Sequence, residues 1–271
     1  MILRRLSRLV REQNWFAVGL EVLIVVIGVV IGFQVTAWGQ ARADRARGLD
    51  HLGQLAADLC ETERQILTTD SLLGPRDRDH VRLVHAFLLA DRPPEDSVFA
   101  WLRSAGRLEE YSPVTGAAEA LVATGDLRLI PSDSLRTAIV RYLALVDVDT
   151  RRTLSVTELW MDQIVAFGSR YDWSEIALRT TPRGVLDSLA RVEAFPALPE
   201  GRLARPFRFS ADDLLSDQAA YANLEQMLNE KRNIASYRHR IRETSEALRA
   251  DVEAALGDAG GTPSHPCPPA G

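Results

Sequence analysis

Asp77-Arg78-Asp79-His80 is the one stretch of this 271-residue chain with the form of a metal-ligand pair. A carboxylate and an imidazole three residues apart share one face of a helix. A carboxylate-bridged di-iron bundle would need a second such motif and two more carboxylates on facing helices. The other histidines, His51, His85, His239 and His265, supply no second Asp-x-x-His or Glu-x-x-His. The run therefore reads as a solvated, charged helix face, with His85 on or near the core side. Asp58, Glu61 and Glu63 around Cys60 read as helix surface in the same way. No nucleophile elbow, zinc-protease helix, phosphate loop or dinucleotide fingerprint occurs. No catalytic residue, cofactor or metal is assigned.

The two cysteines, Cys60 and Cys267, lie far apart and outside any metal spacing. They read as unpaired thiols, with a single bridge left open for an oxidising compartment. The net charge of −5 argues against a nucleic-acid partner. Lys231 is the only lysine, and its rarity reads as compositional.

Glu21 is the second residue with chemistry to explain. It lies inside Trp15–Trp38, an apolar run in which it is the only charge. At 1.5 Å per residue the run measures ~36 Å, enough to cross a ~30 Å hydrocarbon core with some tilt. Trp15 and Trp38 mark its ends, where amphipathic rings favour the membrane boundary. An ionised carboxylate about six residues inside is costly, so Glu21 must be neutral, paired or drawn toward headgroups. Glu21, Val25, Gly28, Gly32 and Val35 fall within roughly 40° of one helical line. Gly28 and Gly32 form a GxxxG pair. This stripe is the candidate contact with a second copy or another membrane helix; the alternative is a lone anchor.

Residues 1–14 form a short basic amphipathic segment, with Arg4, Arg5, Arg8 and Arg11 on one side, suited to a lipid surface. The same arginines also serve as a topology signal before a span. Arg42, Arg45 and Arg47 follow the span, so the bias toward an inward N-terminus is slight. In a bacterium this orientation puts the N-terminus in the cytoplasm, the anchor in the inner membrane and the C-terminal domain in the periplasm. Ala41-Arg42-Ala43 resembles a cleavage site, but the apolar region is too long for a signal peptide.

The rest predicts an all-α fold. The span runs on into a helix over 41–73, stopped by Gly74-Pro75. A new helix over 77–90 presents Val81, Val84, His85 and Leu88 on one face. Shorter helices follow over 95–105 and 113–124. Another starts near Pro131-Ser132-Asp133, with Ser132 or Asp133 as cap, and helix continues over 150–168. A helix is expected over 184–194, then an irregular connector. Ser210-Ala211-Asp212-Asp213 opens one helix of over forty residues, to about 256. The domain thus covers 39–256, and the Gly/Pro-rich tail 257–271 is expected to be disordered. The Trp and Tyr residues read as packing residues.

Two segments resemble a bacterial family of single-pass membrane proteins known only as a domain of unknown function. The first is Glu21…Gly28…Gly32…Gln34…Trp38. The second is AAEALVATGDLRLIPSDSLRTAIVRYL, with Leu121, Gly125, Asp126, Leu127, Ile130, Leu135, Arg136 and Tyr142 at the matching positions. That family often has Asn just before the Trp, where this chain has Thr36-Ala37. The resemblance implies an anchor and a helical extramembrane domain, and no activity or ligand. The leading expectation is a non-enzymatic interaction or scaffold protein that self-associates through its span. A membrane-bound sensor is the alternative, and an enzyme without a recognisable motif the third.

Overall fold

The computed structural model describes residues 15–109, 111–172, 176, 209–260 and 267, with side chains from Gly19 onward. All regular structure among them is helical. Helix α1 spans Trp15–Ala86, α2 Glu95–Ala105 and α3 Gly116–Ala123. A single 3₁₀ turn, Asp126–Leu129, leads into α4, Asp133–Gly168. The short α5, Ala211–Leu215, precedes α6, Gln218–Asp258. The helix expected over 184–194 lies outside the described residues.

Helix α1 is 72 residues long and passes straight through Pro75, where a stop was expected. Its buried positions explain how. Leu52, Leu59, Ile66, Leu73 and His80 recur every seven residues, interleaved with Leu55, Thr62 and Thr69 at the same spacing and with Leu83 two repeats beyond Thr69. Pro75 falls on the outer side of this repeat and is exposed. The residue before it is Gly74, which has no Cβ to clash with the proline ring. The carbonyl left without its N–H partner is that of Ser71, also exposed and open to water. Packing on both sides of the proline holds the helix together.

This continuity corrects the expected face of residues 77–90. Val84 is buried and Val81 half-buried, but His85 and Leu88 are exposed. His80 takes the core position instead.

The same seven-residue repeat runs through α4 and α6. In α4 it carries Leu135, Tyr142, Asp149 and Val156 with Ile139, Val146, Trp160 and Phe167. In α6 it carries Ala220, Met227, Ile234, Ile241 and Leu248 with Leu224, Lys231, Arg238, Ser245 and Val252. Such repeats bury a continuous seam between long helices. Helix α6 packs along both α1 and α4. Cross-helix pairs fix its direction: Asp70 meets Arg238 and Asp77 meets Lys231, while Gln163 meets Asn223 and Asp149 meets Arg240. In each set the residue numbers rise on one helix as they fall on the other, so α6 is antiparallel to both.

Two apolar cores result. One joins Leu52, Leu55, Leu59 and Ile66, near the middle of α1, to Leu121, Ile130, Ile139, Ile241 and Val252. The other joins Leu83, Phe99, Leu102, Trp160, Phe167, Phe209, Leu214 and Leu224 at the far end. Between them the bundle has a polar waist.

Local signals hold where they were strong. Gly125 adopts φ +76° after α3, a conformation that favours glycine. Ser132 caps α4 by accepting from the Leu135 N–H at 3.2 Å. Ser210 and Asp213 form a reciprocal capping box. The single long helix expected from 210 is instead broken at Ser216-Asp217, because Asp217 caps a new start by accepting from the Ala219 N–H. Helix α6 also runs two residues past 256, and Cys267 is disulfide-bonded to Cys60.

Candidate functional site

The stripe on the span is fully displayed. Glu21, Val25, Gly28, Gly32 and Val35 are all exposed, and a Cβ added at Gly28 or Gly32 would meet nothing within 4 Å. One N-terminal helix is thus long and apolar enough to cross a membrane, and none of its apolar window is buried. Thr36 Oγ1 donates to the Gly32 carbonyl at 3.0 Å, which satisfies the hydroxyl inside the run. Trp38 is exposed, and the Arg42 guanidinium lies 5.8 Å from its ring centre. Trp15 begins α1. Arg4, Arg5, Arg8 and Arg11 lie outside the described residues.

The polar waist is the second candidate, and sequence reading missed it. Three acids of α1, Glu63, Asp70 and Asp77, stand seven residues apart and face cations of α6. Glu63 accepts from Arg249 Nε at 2.8 Å, and Asp70 from Arg238 Nε at 2.7 Å. Asp77 lies 3.5 Å from Lys231 Nζ. Lys231 and Arg238 occupy core positions, each with a 4% exposed side chain. On the other flank Asp149 is fully buried and held by Arg240 through Nε–H···Oδ2 at 3.1 Å and a second bond to Oδ1 at 2.6 Å.

His80 is not on a solvated face, as its charged neighbours suggested. It is fully buried, with Nε2 at 2.9 Å from the Leu224 carbonyl. Burial first, and the Lys231 ammonium second, push its pKa down to about 3 against a weaker pull from that carbonyl. The ring is neutral near pH 7, so Nε2–H donates and Nδ1 is left as a buried acceptor with no partner. Asp77 therefore does not share a ligand site with it. No group of three His, Cys, Asp or Glu side chains among the described residues is placed to hold a metal.

Lys231 is the centre of the waist. Its ammonium donates to the Ser104 carbonyl of α2 at 3.2 Å and touches Asp77. Desolvation lowers its pKa, opposed by Asp77. It lines a cleft of about 410 Å³ between α1 and α6, together with Gly74, Asp77, Arg78, Val81, Arg82, Leu228, Arg232 and Ala235. The one signal in the sequence is that the chain's only lysine shares the phase of Leu224 and Val252 on α6, which by itself names no partner.

The disulfide was the less favoured reading of the cysteines. Cys60 and Cys267 are bonded, with their Cα atoms 5.6 Å apart. No protein-family model matches the chain, and no curated protein or solved structure matches it.

Proposed function

We propose that this chain is a single-pass, membrane-anchored helical interaction or scaffold protein that self-associates through its span. One observation carries the reading. Helix α1 is continuous, yet one half forms the seam of a bundle while the other, from Leu20 to Val35, is uncovered and apolar. So large an apolar surface needs lipid or another helix around it. Its one acid and its paired glycines share a stripe, as expected where two backbones approach closely and a neutral carboxyl hydrogen-bonds across. The Cys60–Cys267 bond supports an oxidising surrounding for the domain, and so an N-terminus on the cytoplasmic side with the domain in the periplasm.

The test is self-association of the full chain in membranes, with Gly28→Ile and Gly32→Ile combined and with Glu21→Leu alone. Loss of association in both supports the reading. Association equal to the unaltered chain in both removes the self-contact and leaves an anchor. The second reading, a ligand sensor, is favoured by the cleft at Lys231.

A further inference from the structure

We propose that the cleft between α1 and α6 at Lys231 binds a small carboxylic acid carrying an apolar body. The charges in the cleft are unbalanced. Arg82 is paired with Asp79 at 3.0 Å, and the one acid of the cleft, Asp77, is balanced by Lys231 at 3.5 Å. Arg78 from α1 and Arg232 from α6 remain, and neither has an acidic partner among the described residues. Among the described residues Arg232 donates only to the Asn229 side chain, at 3.2 Å. Each helix wall thus brings a guanidinium to the cleft, and a carboxylate accepts forked N–H pairs from arginine.

The floor of the cleft adds a donor. An ammonium has three N–H groups, and Lys231 donates one to the Ser104 carbonyl, while Asp77 Oδ1, 3.5 Å away, is an ion-pair neighbour that accepts no hydrogen bond among the described residues. Lys231 thus keeps donor capacity to spare among the described residues, though its side chain is only 4% exposed. A buried cation with a spare donor, lining a cleft rimmed by two more cations, is a built anion site. Val81, Leu228, Gly74 and Ala235 make the rest of the wall apolar, so the anion must bring an apolar body with it. The volume, about 410 Å³, lies in the ~300–1,000 Å³ range of small-molecule sites and is too small for a folded partner.

Position excludes a lipid headgroup as the source of charge. Asp77 is 39 residues beyond Trp38 on one unbroken helix, a distance of ~58 Å at 1.5 Å per residue. The ligand is therefore free in solution. This site stands apart from the span contact, and variants of either leave the other intact.

The experiment is calorimetric titration of the full chain, in non-ionic detergent, with phenylacetate as probe and phenylacetamide as its uncharged control. Saturable binding of phenylacetate is expected, at least tenfold tighter than the amide. Arg78→Gln combined with Arg232→Gln should weaken it at least tenfold without lowering the melting temperature, since both side chains are exposed. Ala235→Phe, which fills the cleft, should abolish it. No saturable binding of phenylacetate, or binding unchanged in both variants, overturns the proposal.

Discussion

Arg240 and Asp149 are joined by two hydrogen bonds across the α4–α6 seam, and their exposures are unequal. The carboxylate is wholly buried, whereas 41% of the arginine side chain is exposed. Removing either partner therefore does different damage. Arg240→Leu leaves a buried carboxylate with only the longer 3.4 Å contact from Arg152, and should cost about 3–5 kcal/mol. Asp149→Leu frees an arginine that can turn to water, and should cost about 1–3 kcal/mol. Denaturant unfolding of the two variants would reverse this account if the aspartate change were the more harmful.

His80 makes stability depend on pH. Its pKa is about 3 in the folded chain and near 6.5 when unfolded, so the unfolded chain binds the extra proton first. The stabilisation it gives is present above pH 6.5 and is lost as pH falls from there toward 3. At about 1.4 kcal/mol per unit, the loss amounts to several kcal/mol over that window. His80→Gln should be less stable at pH 7 and show a flatter decline between pH 6.5 and 4. Melting curves across that range that ran parallel for the two proteins would refute it.

Gly48 is where α1 and the 3₁₀ turn touch most closely. A Cβ there would stand 2.9 Å from the Leu129 carbonyl oxygen and 3.4 Å from the Leu129 Cβ. The first of these atoms is backbone, so the turn itself must shift. Gly48→Ala should destabilise the domain by about 1–3 kcal/mol, although alanine is the better helix former. An unchanged or raised melting temperature would show that the turn yields freely.

The disulfide closes a loop of 207 residues between α1 and the tail. Cross-linking limits the unfolded chain, and its loss should cost about 2–4 kcal/mol. Cys267→Ser should melt lower than the unaltered chain, and reductant should lower the unaltered chain to the same point without moving the variant. Identical melting of all samples would mean that the tie contributes nothing.

The all-α class was legible because its signals are local. Gly125, Ser132 and Ser210 each mark a boundary through their own backbone or side-chain chemistry, and the structure uses all three. Pro75 misled for the same reason. Its local meaning is a stop, and only the packing of Leu73 and His80 on either side overrides it. Splitting the helix there broke the register of the repeat, put His85 in the core and left His80 among surface charges. Lys231, Arg238 and Asp149 were illegible because a charged residue at a core position looks like a surface residue until its partner on another helix is known. The Cys60–Cys267 bond joins residues whose proximity depends on the whole fold.

The acids of α1 are spaced seven apart, and so are Lys231 and Arg238. Sliding α6 by one repeat, ~10 Å, would bring Lys231 to Asp70 and Arg238 to Glu63, again as opposite charges. The pairs at Asp70 and Asp77 alone do not tell this alignment from the next, but the slide would pull Arg249 from Glu63 and Arg240 from the buried Asp149. Uncharged neighbours add to the choice. The same slide would set Leu224, now packed in the far core, beside the Asp77 carboxylate. The grease at the two ends and the arginines that stand off the repeat together decide which copy of it is read.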